Sequence, residues 1–320
     1  MTKKTKGSVV TIGTFDGVHR GHQKLLRKTA RLAKEEGLGS KVFTFTAPPK
    51  VMLNGKSRSI LIPFPQKVHL LNEFVDQVIV ADFEKIKDFS PEKFVHKILI
   101  ETLHVSHVVI GHDWQFGRGK SGTAEGLEKI GGNHFTTHIL DPLLDSGLPV
   151  SSTRIRKNLS KGEIERATDL LGRHPTLYGR IVKGEKIGTE MGFPTANLCI
   201  GKNILIPKHG IYAARTRVQG EIYPGALYIG NRPTFDGEQL RVEVHLLTEK
   251  DVEIYGTEME VELIHYLRED REFSDREKLA KQIEKDVNKI KDILEIDSIN
   301  RPKNSYIAAD KGGPKVGDGD

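Results

Sequence analysis

The sequence predicts an α/β N-terminal domain with a parallel sheet, followed by a small antiparallel β-barrel domain with a C-terminal helix. Short β-branched runs alternate with amphipathic helical runs from residue 8 to about residue 140, which is typical of a doubly wound sheet. Past residue 175, short strand-like runs follow one another with frequent turns, which is typical of a barrel. A length of 320 residues fits two domains.

The first domain contains strand-like and helix-like runs in regular order. The predicted strands are 8–12, 41–45, 78–81, 107–111 and 135–140. A helix is predicted between the first two strands and ends at Gly37, and another begins after Ser90, a candidate N-cap that precedes Pro91. Because ligands of such sheets bind at the carboxyl ends of the strands, Gly13 and Gly111 are placed where a ligand is expected.

Composition and charge limit the classes of function. Lys and Arg exceed Asp and Glu by 6, which suits anionic substrates such as nucleotides but is also usual on solvated surfaces. The sequence indicates neither a membrane-spanning run, nor an export signal, nor a basic–aromatic nucleic-acid face. The single cysteine, Cys199, has no partner for an intrachain disulfide, as expected of a cytoplasmic protein.

Residues 11–22 are predicted to form an elbow in which a strand, a tight turn and a helix follow each other. Its glycines would let backbone N–H groups approach a ligand, and the start of the helix favours an anion. His19 and His22 are spaced to point at the same place. They could be capping residues or an incomplete metal site, but the pattern favours a nucleotide-phosphate site with two imidazole donors.

The string Gly-Thr-Phe-Asp-Gly-Val-His-Arg-Gly-His at 13–22 resembles the adenylyltransferase module of bacterial bifunctional riboflavin kinase/FAD synthetases. The resemblance implies a Rossmann-like nucleotidyltransferase domain over residues 1–171, in which His19 and His22 are catalytic. It also implies that the ATP phosphates are bound by elbow residues and by the start of a later helix. These residues are Gly13, Thr14, Phe15, Asp16, Gly17, Gly21, Ser151, Ser152, Thr153 and Arg156.

Two further segments resemble this family less specifically. The glycine-rich stretch 111–119 is by itself equally consistent with a plain turn, and residues 150–156 with a capped surface helix. The resemblance assigns the first to flavin and nucleotide through Gly111, Asp113 and Phe116. One departure is clear: the family usually carries Pro-His-Pro after the second strand, whereas residues 46–50 here read Thr-Ala-Pro-Pro-Lys.

The second half of the chain is predicted to be a barrel closed by a helix. Its strand-like runs are 177–182, 211–218, 222–229, 242–247 and 259–267. Ser274 and Glu277 have the spacing of a capping box at the start of the final helix. A helix at 162–171 precedes a linker at 172–175, and the last residues, 299–320, are predicted to be a disordered tail.

Residues 184–197 carry a second motif. Read alone, the glycines predict a hairpin loop followed by a proline turn. The string Gly-Phe-Pro-Thr-Ala-Asn at 192–197, however, resembles the riboflavin kinase signature, which implies a kinase domain over residues 172–298. The resemblance implies ATP binding by Gly184, Gly188, Gly192, Pro194, Thr195 and Asn197. It further implies that Thr195 and Asn197 hold Mg2+ and that Asn231 and Arg268 bind flavin.

The resemblance implies that Glu243 is the general base of the kinase domain. Alternation along residues 241–245 predicts that Glu243 lies on the strand face opposite Val242 and Val244. A carboxylate in an alternating strand would otherwise face solvent, but phosphorylating a neutral hydroxyl needs a base. The resemblance therefore implies a cytoplasmic enzyme, monomeric or weakly self-associating, that converts riboflavin to FMN and FMN to FAD with ATP. Two alternatives stay open: a riboflavin kinase whose adenylyltransferase domain is inactive or weak, and a flavin-sensing regulatory protein.

Overall fold

The computed structural model describes residues 7–54, 59–182, 194–234, 237–248 and 254–299. The chain divides into two compact units, Met1–Ser152 and Thr153–Asp320. Residues 300–320, which make up nearly all of the predicted tail, lie outside the described residues. None of the helices in the described ranges is long and apolar enough to cross a membrane.

The first unit alternates strands and helices. Its described strands are β1 (Ser8–Ile12), β2 (Gly39–Phe45), β3 (Gln77–Ala81), β4 (Val105–Gly111), β5 (Gln115–Phe116), β6 (Gly122–Thr123), β7 (Thr136–Leu140), β8 (Leu144–Asp145) and β9 (Leu148–Pro149). Its described α-helices are α1 (Arg20–Glu36), α2 (Pro49–Asn54), α3 (Phe64–Asn72), α4 (Phe83–Ile86), α5 (Pro91–Phe94) and α6 (Ala124–Gly131). A 3-10 turn occupies Arg118–Lys120.

The five longer strands form one sheet in the order β3-β2-β1-β4-β7. Every neighbouring pair in this sheet is parallel, which confirms the predicted fold class. The chain winds outward from β1 in one direction and from β4 in the other, so the switch point lies between these two strands. Ligands of open α/β sheets bind at that point, beyond the carboxyl ends of the strands. The elbow follows β1 and a glycine-containing turn follows β4, so both segments flank it.

The strand β1 is buried along its whole length, because both faces of the sheet are covered. Val10 and Ile12 belong to the larger core cluster, which includes Phe94, whereas Val9 packs with Leu32 of α1. The predicted helix ends are confirmed. Gly37 adopts φ 65° after α1 and donates its N–H to Ala33 and Lys34, and Ser90 caps α5 by accepting the N–H of Lys93. After α5 the helix continues with π-helical geometry over Val95–Thr102.

The second unit is a closed antiparallel barrel with helices on its outside. Its described helices are α7 (Ser152–Lys161, which begins at the last residue of the first unit), α8 (Ile164–Leu171) and α9 (Arg276–Ile299). The strands are β10 (Thr176–Val182), β11 (Thr195–Ile200), β12 (Gly210–Val218), β13 (Glu221–Thr234), β14 (Gly237–Leu246) and β15 (Glu258–Arg268). They close in the order β10-β11-β14-β13-β12-β15, which confirms the predicted barrel. The sequence does not predict β11 as a strand; its alternating Ala196 and Leu198 are buried in the barrel.

The start of α9 corrects one prediction. The predicted capping box at Ser274 and Glu277 is wrong, because the N–H of Lys278 is accepted by the side chain of Asp275, at 2.8 Å. The hydroxyl of Ser274 donates to the same carboxylate. Asp275 stands immediately before Arg276, the first helical residue, and is therefore the N-cap.

The apolar face of α9 is divided along its length. Near its end, Ile290 and Leu294 pack against Ala213 and Ile264 on the outside of the barrel. Nearer its start, the face lines an open cavity instead. The residues of this second part are Leu279, Ile283 and Val287.

Candidate functional site

His19 begins helix α1 as its N-cap. Its Nδ1 accepts the backbone N–H of His22 at 3.3 Å. The two imidazole rings are stacked with their centroids 3.6 Å apart. Because Nδ1 accepts a hydrogen bond, the neutral ring carries its proton on Nε2. Capping and phosphate binding are therefore compatible roles, since they use different nitrogens of the same ring.

The backbone of the elbow is held in an unusual conformation. Phe15 and Val18 have φ values of 49° and 41°, and Gly17 has 81°. Positive φ costs energy in residues other than glycine, most of all in a β-branched one such as Val18. Turns of this kind can gather successive N–H groups into an anion-binding concavity. The strain at Phe15 and Val18 therefore marks the elbow as a candidate phosphate site.

Side chains from elsewhere in the first unit support this turn. The side-chain amide of Gln23 donates to the carbonyl of Val18 at 3.0 Å. The carboxylate of Asp16 is buried and accepts the N–H of Leu61 at 2.9 Å. The hydroxyl of Ser152 donates to the carbonyl of Asp16, also at 2.9 Å. Asp16 and Ser152 therefore stabilise the elbow, and Gln23 is a supporting residue that the sequence analysis missed.

Glycine is required at the start of α1 for reasons of space. A Cβ on Gly21 would lie 3.2 Å from the ring of His19 and 3.3 Å from the carbonyl oxygen of Val150. Both contacts are tighter than is usual, so a larger residue would displace the histidine ring. Gly21 consequently keeps His19 in position as well as leaving the helix start open.

The turn after β4 carries Gly111, Asp113 and Phe116, whose contacts with flavin and nucleotide stay a prediction. Gly111 ends the strand, and Asp113 is exposed next to it. Phe116 is buried in the core cluster, with its ring stacked on Trp114 at 4.6 Å and tilted against Phe94 at 5.5 Å. The turn is therefore anchored by Phe116, and Asp113 is the predicted residue that faces outward.

A cavity of about 570 Å³ lies between the outside of the barrel and helix α9 with the segment before it. Strands β11 and β14 line one side with Thr195, Asn197 and Glu243. These side chains share one face because Val242 and Val244, on the other face of β14, are buried in the barrel. The alternation predicted from the sequence is thus confirmed, and it directs Glu243 into the cavity.

Glu243 is held by its strand neighbours. It lies opposite Asn197 on one side and Tyr228 on the other. Its Oε1 is 3.2 Å from the guanidinium of Arg241, and 18% of its side chain is exposed. Burial, together with the hydrogen bond to Asp270, raises the pKa of the Tyr228 hydroxyl above its ordinary value. Tyr228 therefore stays protonated beside the carboxylate over the physiological range.

Two contacts hold the segment before α9 across the cavity. Tyr228 donates its hydroxyl to the carboxylate of Asp270 at 2.7 Å. Arg268 donates to Asp286 through Nε at 2.9 Å and Nη2 at 2.6 Å, while Nη1 bonds the carbonyl of Glu269. Both nitrogens donate to Oδ2 of Asp286, so Arg268 is fixed in an ion pair that joins β15 to α9. Its contact with flavin remains a prediction.

Comparison with known proteins gives one family for each half of the chain. The family described as FAD synthetase matches residues 1–154, and the family described as riboflavin kinase matches residues 171–294. A bifunctional riboflavin kinase/FMN adenylyltransferase of Listeria monocytogenes is 37% identical over 87% of this chain and 90% of its own length. One of Bacillus subtilis is 33% identical over the same shares. The chain belongs to the bifunctional riboflavin kinase/FMN adenylyltransferase family.

A solved structure is also similar over most of the chain. It is titled a macrolide-efflux protein from Streptococcus pneumoniae, and it matches with a TM-score of 0.80 and 29% identity. The match covers 89% of this chain and 94% of that one.

Other predicted residues lie in several parts of the chain. Gly184, Gly188 and Gly192 lie outside the described residues. Thr153 and Arg156 lie in α7, within the second unit, whereas Gly13, Thr14 and Ser151 lie in the first. In the kinase unit, the described cavity lining includes Arg268 but not Asn231, which is exposed on β13.

A buried cation that the sequence does not predict lies next to the elbow. Lys67 of α3 is 3% exposed, and its ammonium group donates to the carbonyl oxygens of Thr14 and Phe45. A lysine in an amphipathic helix is ordinarily expected at the surface. Its spacing in the sequence therefore carries no signal of this role.

Proposed function

We propose that the second unit phosphorylates riboflavin to FMN and that the first unit transfers AMP from a second ATP to FMN, yielding FAD and pyrophosphate. The observation that carries the kinase assignment is Glu243, a carboxylate directed into a cavity beside Thr195 and Asn197. The observation that carries the adenylyltransferase assignment is the strained elbow at the switch point, with the two stacked imidazoles at the start of α1.

In the kinase step, Glu243 accepts the proton of the ribityl hydroxyl as its oxygen attacks the γ-phosphorus of ATP. The bond between that phosphorus and the bridging oxygen breaks, and ADP leaves. Arg241 holds the carboxylate at 3.2 Å, and Asn197 faces it from β11. In phosphoryl transfer generally, much of the rate acceleration comes from positioning the reacting groups, here the hydroxyl next to its base.

The oxygen side chains of Thr195 and Asn197 fit Mg2+, which prefers hard oxygen ligands and keeps several waters and substrate phosphates in its shell. Both line the same cavity, since residues two apart on a strand share a face. When bound there, Mg2+ would neutralise charge on the ATP phosphates.

In the adenylyl transfer, the nucleophile is the phosphate of FMN, which is already ionised and needs no general base. Its oxygen attacks the α-phosphorus of ATP, and pyrophosphate leaves. The elbow stabilises the charge that develops on these phosphates. His19 would donate through Nε2–H, and backbone N–H groups of the strained turn would donate beside it.

The proposal places this enzyme in the cytoplasm, with flavins and ATP as its partners, no nucleic-acid partner, and a monomeric or weakly associating chain. The exposed single cysteine, Cys199, is compatible with a reducing compartment. The functional boundary near residue 172 stays a prediction from the sequence, whereas the contacts of α7 and α8 with the barrel favour an earlier start of the kinase unit.

The test is a product assay. Purified full-length chain is incubated with riboflavin and MgATP, and the products are separated by chromatography. Formation of both FMN and FAD supports the proposal. Formation of FMN alone supports the alternative of an inactive adenylyltransferase unit. That alternative is motivated by residues 46–50, which lack the histidine that the family usually carries between two prolines. Binding of flavin without any product would overturn the enzymatic assignment in favour of a sensor.

A further inference from the structure

A buried lysine, Lys67, contacts the backbone of the elbow. The Nζ atom of Lys67 lies 3.2 Å from the carbonyl oxygen of Thr14, which is part of the elbow. The same ammonium group donates to the carbonyl of Phe45, the last residue of β2. Lys67 therefore joins the elbow to the carboxyl end of the neighbouring strand, at the edge of the sheet where ligands bind.

The contact with Thr14 sets the orientation of one peptide group. The carbonyl of Thr14 and the N–H of Phe15 belong to the same planar trans peptide, so they point in opposite directions. When Lys67 holds the carbonyl on one side, the N–H of Phe15 is aimed toward the other. Phe15 has the positive φ of 49° that opens the turn, and such a conformation persists only where its surroundings enforce it.

Keeping an ammonium ion at this position costs stability. Lys67 is 3% exposed, and the charge that acts on it among the described residues is that of Asp16, itself 2% exposed. Its own helix presents the ring of Phe64, with the centroid 5.5 Å away. An apolar side chain would fill such a site without the cost of desolvating a charge. A buried positive charge beside a phosphate site can stabilise the negative charge of the phosphates, which an apolar side chain cannot do.

We propose that Lys67 is a positioning residue for adenylyl transfer: it fixes the Thr14–Phe15 peptide of the elbow and adds a buried positive charge next to the nucleotide phosphates. This inference rests on the proposed function of the first unit. It assigns no part of the kinase reaction to Lys67.

The charge of Lys67 titrates in an accessible range. Burial lowers the pKa of its ammonium group to about 8, and the neighbouring Asp16 opposes this shift. Lys67 is therefore charged below about pH 8 and neutral above it. The inference requires adenylyl transfer to weaken as the pH rises through this value. A lysine that only fills space would not make the rate of FAD formation fall above this pH.

The experiment measures kcat/KM for FAD formation from FMN and MgATP between about pH 6.5 and 9.5, using the full-length chain. Three variants are compared with the wild type. Lys67→Met removes the charge and the donor, Lys67→Gln keeps a neutral donor, and Lys85→Met changes a lysine whose side chain is 81% exposed. Formation of FMN from riboflavin is measured in the same preparations.

We expect the wild type and Lys85→Met to share an alkaline fall with a midpoint near pH 8. Lys67→Met and Lys67→Gln should show a lower kcat/KM at pH 7, by roughly 10- to 100-fold, and no alkaline limb of that midpoint. FMN formation should be unchanged in all variants.

Two results would overturn the inference alone. One is a Lys67→Gln variant with the wild-type rate and the wild-type alkaline limb. The other is loss of FMN formation together with FAD formation in both Lys67 variants, which would make the residue a requirement for folding of the whole chain. A wild-type chain that forms no FAD at any pH would instead overturn the proposed function of the first unit, and the inference with it.

Discussion

Asn197 and Glu243 lie directly opposite each other on the neighbouring strands β11 and β14. Side chains paired in this way have Cβ atoms about 5 Å apart. The pairing of two barrel strands therefore places a candidate ligand for the phosphates beside a candidate base, without any contribution from a flexible loop. The cavity in front of them has room for a substrate, at about 570 Å³.

Replacing Glu243 by glutamine tests this arrangement. Glutamine keeps the shape and most hydrogen bonds of the side chain but cannot accept the hydroxyl proton. We expect FMN formation to fall by roughly 100-fold or more, while FAD formation from added FMN persists. The expected loss is in kcat rather than in KM, because a base acts in the transition state. Steady-state kinetics with each substrate measures both.

A matched control is Glu221→Gln, since Glu221 is exposed at the start of the neighbouring strand β13. It should leave FMN formation unchanged. Retention of kinase turnover in Glu243→Gln would show that another group is the base. An unfolded Glu243→Gln domain would mark the residue as structural.

The sequence predicted the elements whose signals are local. The burial of β1, the αL glycine after α1 and the serine cap of α5 follow from short patterns that tertiary contacts do not override. Strand β11 was missed because the Pro-Thr-Ala-Asn segment also fits a turn, and its strand pairing depends on residues of β10 and β14 that are distant in sequence. The cap of α9 was misplaced because Ser274 and Asp275 are adjacent candidates.

Some residues of the candidate sites could likewise be predicted from local sequence patterns, and others could not. Glu243 could be placed by alternation, because a strand period of two fixes which face a side chain occupies. Lys67 and Gln23 could not be placed. Lys67 contacts carbonyl oxygens 53 and 22 residues away in sequence, and a backbone carbonyl leaves no trace in residue type. The strained φ of Val18 is likewise a property of the folded turn rather than of its composition.

The two roles of His19 can be separated by substitution. Asparagine is a good N-cap but lacks an imidazole Nε2–H donor. We expect His19→Asn to keep the thermal stability of the chain while lowering FAD formation from FMN by on the order of 100- to 1000-fold. His19→Ala should lose the same activity and in addition about 1 kcal/mol of stability, because its cap is lost.

FAD formation and thermal unfolding are measured on the same preparations of the His19 variants. FMN formation from riboflavin is the internal control, since the kinase unit contains no part of the elbow. FAD synthesis at the wild-type rate in His19→Asn would contradict a role for the imidazole beyond capping.

An ion pair outside both sites predicts a pH-dependent stability. His265 Nδ1 of β15 lies 2.5 Å from the carboxylate of Glu165 on α8. This hydrogen bond raises the pKa of His265 and lowers that of Glu165, while Lys289 opposes the first shift and His174 adds to the second. The pair is therefore complete between the unperturbed values of 4.5 and 6.5. It weakens as the pH rises through the raised pKa of His265.

We expect His265→Gln to lower the thermal stability more at about pH 5.5 than at about pH 8. The difference should stay below about 1 kcal/mol, because the two side chains are 44% and 60% exposed. Glu165→Gln should show the same pH dependence, and the double variant should add little to either. A loss that is equal at both pH values would show that the ion pair does not contribute.

The contacts of α7 and α8 with the barrel predict where an independent kinase fragment must begin. Besides the pair on His265, the N–H of Lys208 donates to the carbonyl of Leu159 in α7 at 2.9 Å, and the ring of Tyr266 lies against Gly162. A fragment of residues 153–299 keeps these contacts, whereas one of residues 176–299 loses both helices.

The melting temperature and the rate of FMN formation are measured for both fragments. We expect the longer fragment to be more stable and to form FMN. Since α8 buries four apolar side chains, Ile164, Ala167, Leu170 and Leu171, its removal should cost several kcal/mol and leave the shorter fragment largely unfolded. Equal melting temperatures would show that the barrel folds without α8 and that the functional boundary lies near residue 172, as the sequence predicts.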